Sequence, residues 1–261
     1  MTHEADIQPV PALPSASILL VRDGMRGLEV LMMKRAKTMR FAPGAYVFPG
    51  GKVDAHDGRS FFWRQYLNPS VRFQDMNFRI AALRELYEEA GILYTQSHSP
   101  REDTVRRSVP TALAYAGERL AVENLILFSH WITPVQAGRR FDTHFYLAPF
   151  EGQKDGVEDG SEMIENLWVR PKELLMKWEQ GGVPIMFPTR LNLMRLSEAR
   201  TVAEAIEQSL RRTVVPILPK FTVDPDSGEK SLEIPAAAGF GLTRASNKDI
   251  SAEAKILKRF Q

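Results

Sequence analysis

Ala81-Ala82-Leu83-Arg84-Glu85-Leu86-Tyr87-Glu88-Glu89-Ala90-Gly91 is the stretch whose reading decides the fold. Stepped at 3.6 residues per turn, Leu83, Leu86, Tyr87 and Ala90 fall on one helical face. Glu85, Glu88 and Glu89 stand at i, i+3 and i+4 and share the opposite face. Gly91 closes the run, where a residue free to take positive φ is expected. Such a helix buries its apolar face and directs three carboxylates at one place. Like charges at that spacing destabilise a helix by about 0.2–0.5 kcal/mol per pair. A divalent cation held by oxygen ligands would offset the repulsion. The competing account is a solvated acidic face with no ligand.

Upstream lies Phe48-Pro49-Gly50-Gly51-Lys52-Val53-Asp54, where a glycine pair after an apolar strand lets backbone approach a ligand closely. Taken together, the FPGG segment and the RELYEEAGI segment resemble the Nudix box, GX5EX7REUXEEXGU with U aliphatic. Gly51, Arg84, Glu85, Leu86, Glu88, Glu89, Gly91 and Ile92 match it in order. The spacing departs from the family: Gly51 to Arg84 is 33 positions instead of 14, so 19 extra residues interrupt the box. Counting back from Arg84, the family's first glutamate falls on Met76, and Asp75, Asp54 and Asp57 are the candidates to replace it. A long insertion here is also a feature of some eukaryotic organelle members that cleave coenzyme A.

Composition narrows the class. The chain has 261 residues, long enough for one large domain or a domain with an extension. A net charge of +2 gives no case for general nucleic-acid binding. The absence of cysteine excludes disulfides, thiolate metal sites and a cysteine nucleophile. No apolar run reaches the roughly 18–20 residues that span a bilayer. The acidic N-terminus lacks a secretory signal, so a cytoplasmic location is the default expectation. The five histidines are scattered, with no spacing that suggests a zinc site. His56, beside the glycine loop, reads as a surface histidine or a phosphate contact.

Residues 1–14 hold three prolines and read as an extended arm. Ser15–Arg22 and Leu28–Arg35 read as two strands joined by turn residues, and Ala45–Phe48 as a short strand. The insertion, about 55–76, carries Phe61, Phe62, Trp63, Tyr66 and Phe73, either packed outside the domain or forming a wall for substrate. Residues 101–116 read as helical, and 128–133 and 143–148 as strands. Glu158–Glu165 reads as an acidic loop before a strand and a helix from about Pro171. Residues 189–213 suggest one or two helices, and 221–234 a hairpin. Residues 181–261 carry no chemical motif and read as a C-terminal extension that caps the domain, completes the site or makes a homodimer.

The resemblance covers roughly residues 15–180 and implies an α/β/α sandwich with a mixed sheet. It also implies hydrolysis of a nucleoside diphosphate linkage in a small-molecule substrate, with Mg²⁺ or Mn²⁺ as cofactor. By that resemblance Glu88, Glu89 and the carbonyl of Gly50 hold metal, Glu85 shares in binding metal or water, and Arg84 orients a box glutamate. A loop glutamate often joins the cluster in such domains; Glu162 is the expected one, with Glu158 and Glu165 as rivals. Coenzyme A diphosphatases carry LLTXRSX3RX3GX3FPGG before the box, and Leu31, Arg35, Arg40, Gly44 and the FPGG match it. Met32, Met33 and Ala36 depart from it. Arg139-Arg140-Phe141-Asp142-Thr143 resembles the RFDT segment of the insertion-bearing coenzyme A diphosphatases. These matches point to coenzyme A or acyl-coenzyme A, cleaved to 3′,5′-ADP and a phosphopantetheine. Arg35, Arg40 and Gly51 are then the substrate contacts. The alternatives are an ADP-ribose, dinucleotide or nucleotide-sugar pyrophosphatase, and a Nudix-like binding module without turnover.

Overall fold

The computed structural model describes residues 10–38, 43–97, 101–102, 107–151, 163–223, 228 and 230–246. Strand β1 (Ala12–Gly24) turns through Met25 and Arg26 into β2 (Gly27–Arg35), with Gly24 paired to Gly27. Gly27, the first residue after the turn, takes a φ of 113°, a conformation that a side chain resists. Short strands β3 (Tyr46–Val47) and β4 (Gly50–Lys52) follow, the second folding back onto β1 with Gly50 opposite Ser17. A one-turn helix, α1 (Ser60–Trp63), precedes α2 (Met76–Ala90), whose end is Gly91 at φ 70°. Then come β5 (Ile92–Leu93), β6 (Arg101–Glu102), α3 (Val109–Ala116), β7 (Ile126–Ile132) and β8 (Arg140–Pro149). The C-terminal half adds β9 (Met163–Val169), α4 (Pro171–Glu179), α5 (Phe187–Leu196), α6 (Val202–Leu210) and β10 (Pro216–Ile217). A separate antiparallel sheet of β11 (Lys220–Val223), β12 (Lys230–Glu233) and β13 (Arg244–Ser246) follows.

The main sheet runs β10-β7-β8-β1-β2-β3, with β4 also on β1 and β9 on β2. It is mixed: β1 is parallel to β8 from Ala12 to Val21 and antiparallel to β2. This long parallel partner draws β1 back to Ala12, three residues before the strand expected from local pattern. The run Ile18-Leu19-Leu20-Val21 is apolar without alternation because both faces are covered. On one face Ile18, Leu20 and Tyr146 pack with Ile80, Leu83 and Leu86 of α2. On the other, Leu19, Val21 and Leu147 pack with Leu191, Leu193 and Leu232. The described residues between 187 and 245 therefore supply the third layer of the sandwich and share its core.

Two local expectations shift. Of the described residues between 101 and 116, Val109–Ala116 forms the helix, opened by Pro110 in its first turn, while Arg101–Glu102 pairs with β5. Glu165 lies in β9, opposite Lys34, where the strand begins earlier than the loop reading expected. Among the described residues no helix is long and apolar enough to cross a membrane.

Candidate active site

The glycine loop and the carboxylate face of α2 meet. Pro49 is pinned from beneath: its carbonyl accepts from the Ser17 hydroxyl at 2.9 Å and from the Ile18 amide at 2.9 Å. That places the Gly50 amide 2.8 Å from Glu89 Oε2, to which it donates. A Cβ on Gly50 would lie 2.4 Å from the Ala16 carbonyl oxygen, so the backbone packs too closely here for any side chain. A Cβ on Gly51 would lie 2.4 Å from Glu85 Oε1, so glycine is what lets that carboxylate stand against the loop.

Arg84 organises the cluster from behind. Its Nε and Nη2 donate to the two oxygens of Asp57, each at 3.0 Å, as a paired fork. Nη2 also donates to the Lys52 carbonyl at 2.9 Å. Nη1 donates to Glu85 and to Glu88, each at 2.8 Å. The Asp57 side chain is fully buried and also accepts from the Asp54 amide at 2.7 Å. Burial pushes the Glu85 carboxyl above the ordinary glutamate value, with Arg84 pulling the other way. Burial alone would lower Arg84, but Asp57, Glu85 and Glu88 hold its guanidinium well above the usual range, so it stays charged.

Asp57, not Asp75 or Asp54, takes the place opposite Arg84. The signal was in the sequence: counting forward from Gly51, the sixth residue is Asp57, where the family has its first glutamate. The extra residues thus begin after Asp57. Asp75 is occupied elsewhere, by Arg79 Nε at 2.9 Å and by the Tyr146 hydroxyl at 2.8 Å. Asp54 accepts from the His56 amide.

A cavity of about 470 Å³ opens over this loop, lined by Arg35, Gly50, Gly51, Glu85 and Glu89. Glu88 is outside its lining, half exposed and bonded to Arg84. Arg139, Phe141 and Thr143 line one side, while Arg140 turns inward and holds the carbonyls of Thr133 and Val10. Trp131 and Phe145 add an apolar wall, completed by Phe187 of α5, Phe221 of β11 and Leu232 of β12. These apolar contributors were illegible beforehand, because a residue facing a cavity and one facing the core share the same periodicity. The insertion does not line the cavity. Trp63 is buried against the α2 core, its Nε1 donating to the His56 carbonyl at 2.9 Å, with Phe62 and Tyr66 beside it. Of the remaining expected residues, Glu165 pairs with Lys34 at 3.5 Å, and Arg40, Glu158 and Glu162 lie outside the described residues.

The donor set suits a hard divalent cation. Asp57, Glu85 and Glu88 crowd one guanidinium while Glu89 stands against the glycine loop, leaving net negative charge on hard carboxylate oxygens.

Comparison with known proteins agrees with this fold. The sequence profile of the NUDT19 Nudix domain matches residues 70–196. The provisionally assigned nudix hydrolase 7 of Caenorhabditis elegans is 32% identical over 195 residues, covering 71% of this chain and 61% of that one. The acyl-coenzyme A diphosphatase NUDT19 of Gallus gallus is 27% identical over 230 residues, covering 64% of this chain and 61% of that one. The chain thus spans about three fifths of the length of these relatives. The crystal structure of a NUDIX hydrolase from Alicyclobacillus acidocaldarius superposes with a TM-score of 0.66 at 25% identity, covering 76% of this chain and 96% of that one. This chain belongs to the Nudix hydrolase superfamily and, within it, resembles the coenzyme A diphosphatases.

Proposed function

We propose that this chain is a divalent-metal-dependent diphosphatase that hydrolyses coenzyme A or acyl-coenzyme A. Water adds across the phosphoanhydride, and the products are 3′,5′-ADP and 4′-phosphopantetheine or its acyl form. The observation that carries this reading is the carboxylate cluster at the glycine loop, opening into a cavity with arginines and a broad apolar wall.

Glu85, Glu88 and Glu89 would hold Mg²⁺ or Mn²⁺, with Gly50 adding backbone. Bound there, the cation would neutralise the diphosphate and lower the pKa of water. Asp57 keeps Arg84 in place, and Arg84 keeps Glu85 and Glu88 aimed at one point. Gly51 lets the substrate phosphates approach the backbone. The general base is assigned to no single carboxylate. Arg35 and Arg139 supply charge for phosphate. Trp131, Phe187, Phe221 and Leu232 offer an apolar surface to the pantetheine arm and an acyl chain. Arg40 and Glu162 stay in the proposal as a phosphate contact and a metal ligand.

The test is a panel of coenzyme A, acyl-coenzyme A, ADP-ribose and dinucleotides with Mg²⁺ or Mn²⁺, products identified by mass. Coenzyme A thioesters turning over best, with release of 3′,5′-ADP, supports the proposal. Preference for ADP-ribose would replace the substrate, and no turnover of any compound would leave a binding module.

A further inference from the structure

Along the chain the histidines show no ligand spacing, yet the pairing of β7 with β8 joins two of them. His130 and His144 are cross-strand partners, and Asp142 precedes His144 by two residues. All three therefore project from one face of the sheet. His130 Nε2 and Asp142 Oδ1 are 2.5 Å apart, and one donor atom from each of the three lies within 4.8 Å of the others. The two imidazoles stack at 4.2 Å, with Phe78 edge-on to His144 at 4.0 Å. His144 Nδ1 is buried with no hydrogen-bond partner, the one unexplained polar atom of the group. Burial, with His130 beside it, pushes His144 down to about 4, so its ring is neutral at pH 7 and keeps a lone pair to donate. The charge of nearby Arg79 is paired with Asp75 at 2.9 Å.

We propose that His130, Asp142 and His144 form a second cation site, for a borderline transition-metal ion such as Zn²⁺. Two imidazoles and one carboxylate are a common zinc set, and imidazole ligands disfavour Mg²⁺. Tetrahedral ligands lie about 3.4 Å apart around zinc, between the 2.5 Å of the His130–Asp142 pair and the 4.8 Å that bounds the trio. The fourth position is left to water, which the partly exposed His130 and Asp142 admit. The site is distinct from the glycine-loop cluster. Phe78 precedes Glu85 by seven residues and Glu89 by eleven, roughly 10–17 Å along the helix. Asp142 sits between Phe141 and Thr143, which line the cavity, so an ion here would pin the strand pair that carries the cavity wall.

The test is Co²⁺ binding to the whole, untagged protein in a large excess of Mg²⁺, followed by ligand-field absorption and displacement by Zn²⁺. One equivalent should bind, and Zn²⁺ should raise the melting temperature. His144→Gln, His130→Gln and Asp142→Asn should each weaken binding tenfold or more. Near-ultraviolet circular dichroism checks that they fold. The Glu88→Gln/Glu89→Gln double variant should keep the equivalent. Hydrolysis is not part of the readout, so the result stands apart from the proposed reaction. No bound equivalent in the wild type overturns the proposal. So does undiminished binding in the two histidine variants, or loss only in the glutamate double variant.

Discussion

Helix α2 carries two arginines five residues apart, and each clamps an aspartate that lies before it in the chain. Near the N-terminal end, Arg79 meets Asp75 and donates to the carbonyls of Val122 and Leu125, while Asp75 also receives the Tyr146 hydroxyl. One cation faces one carboxylate there, and the remaining donors and acceptors are neutral. Past the middle, Arg84 faces Asp57, Glu85 and Glu88, with Glu89 against the glycine loop. The same chemistry therefore does two jobs. The balanced clamp joins helix to sheet. The overcharged one holds carboxylates that the fold does not need for its own neutrality, and that surplus marks the candidate site.

The largest way to break the contrast is Asp57→Ala. Removing one partner of a buried ion pair costs about 3–5 kcal/mol, so urea unfolding should show a loss of that size together with loss of hydrolysis. A change in stability below about 1 kcal/mol would mean the clamp is not what holds Arg84.

Glu89→Gln separates holding from chemistry. Glutamine still accepts from the Gly50 amide, so the fold should persist, while hydrolysis falls at least a hundredfold, about 2.7 kcal/mol in the barrier. Near-normal turnover at saturating Mg²⁺ would strike Glu89 from the metal ligands.

Arg35 sharpens the picture from across the cavity. A charge-assisted hydrogen bond to phosphate is worth roughly 1.5–3 kcal/mol, so Arg35→Ala should lower kcat/KM for coenzyme A tenfold to a hundredfold. A much smaller loss on dephospho-coenzyme A assigns Arg35 to the 3′-phosphate, and equal losses assign it to the diphosphate. No loss on either would remove it from recognition.

Asp75→Asn probes the balanced clamp, at about 1–3 kcal/mol with little change in kcat. Burial alone would raise Asp75, but bonds from Arg79 and Tyr146 bring its carboxyl below the ordinary 3.8. A lowered folded-state value contributes stability that is fully present above 3.8 and is lost as pH falls through the folded value. The gap between wild type and variant, measured by thermal unfolding, should therefore be constant near neutrality and close only in strong acid. A gap that closes between pH 7 and 5 would contradict this.

By itself the sequence determined whatever depends on short spacings. The apolar and acidic faces of α2, its glycine end and the FPGG loop follow from helical geometry and backbone freedom within a few residues. Asp57 belongs with them, being countable from Gly51, though it stays ambiguous until Arg84 is seen to choose it over Asp75. Tertiary structure decided what depends on distant partners. β1 reaches back to Ala12 because β8 pairs with it, and the aromatic insertion turns to the core because α2 offers apolar surface there. Phe187, Phe221 and Leu232 become cavity wall only once α5, β11 and β12 fold over the sheet, and His130 meets His144 only through strand register. Apolar periodicity says that a side chain leaves water, and nothing in it says which neighbour it will meet.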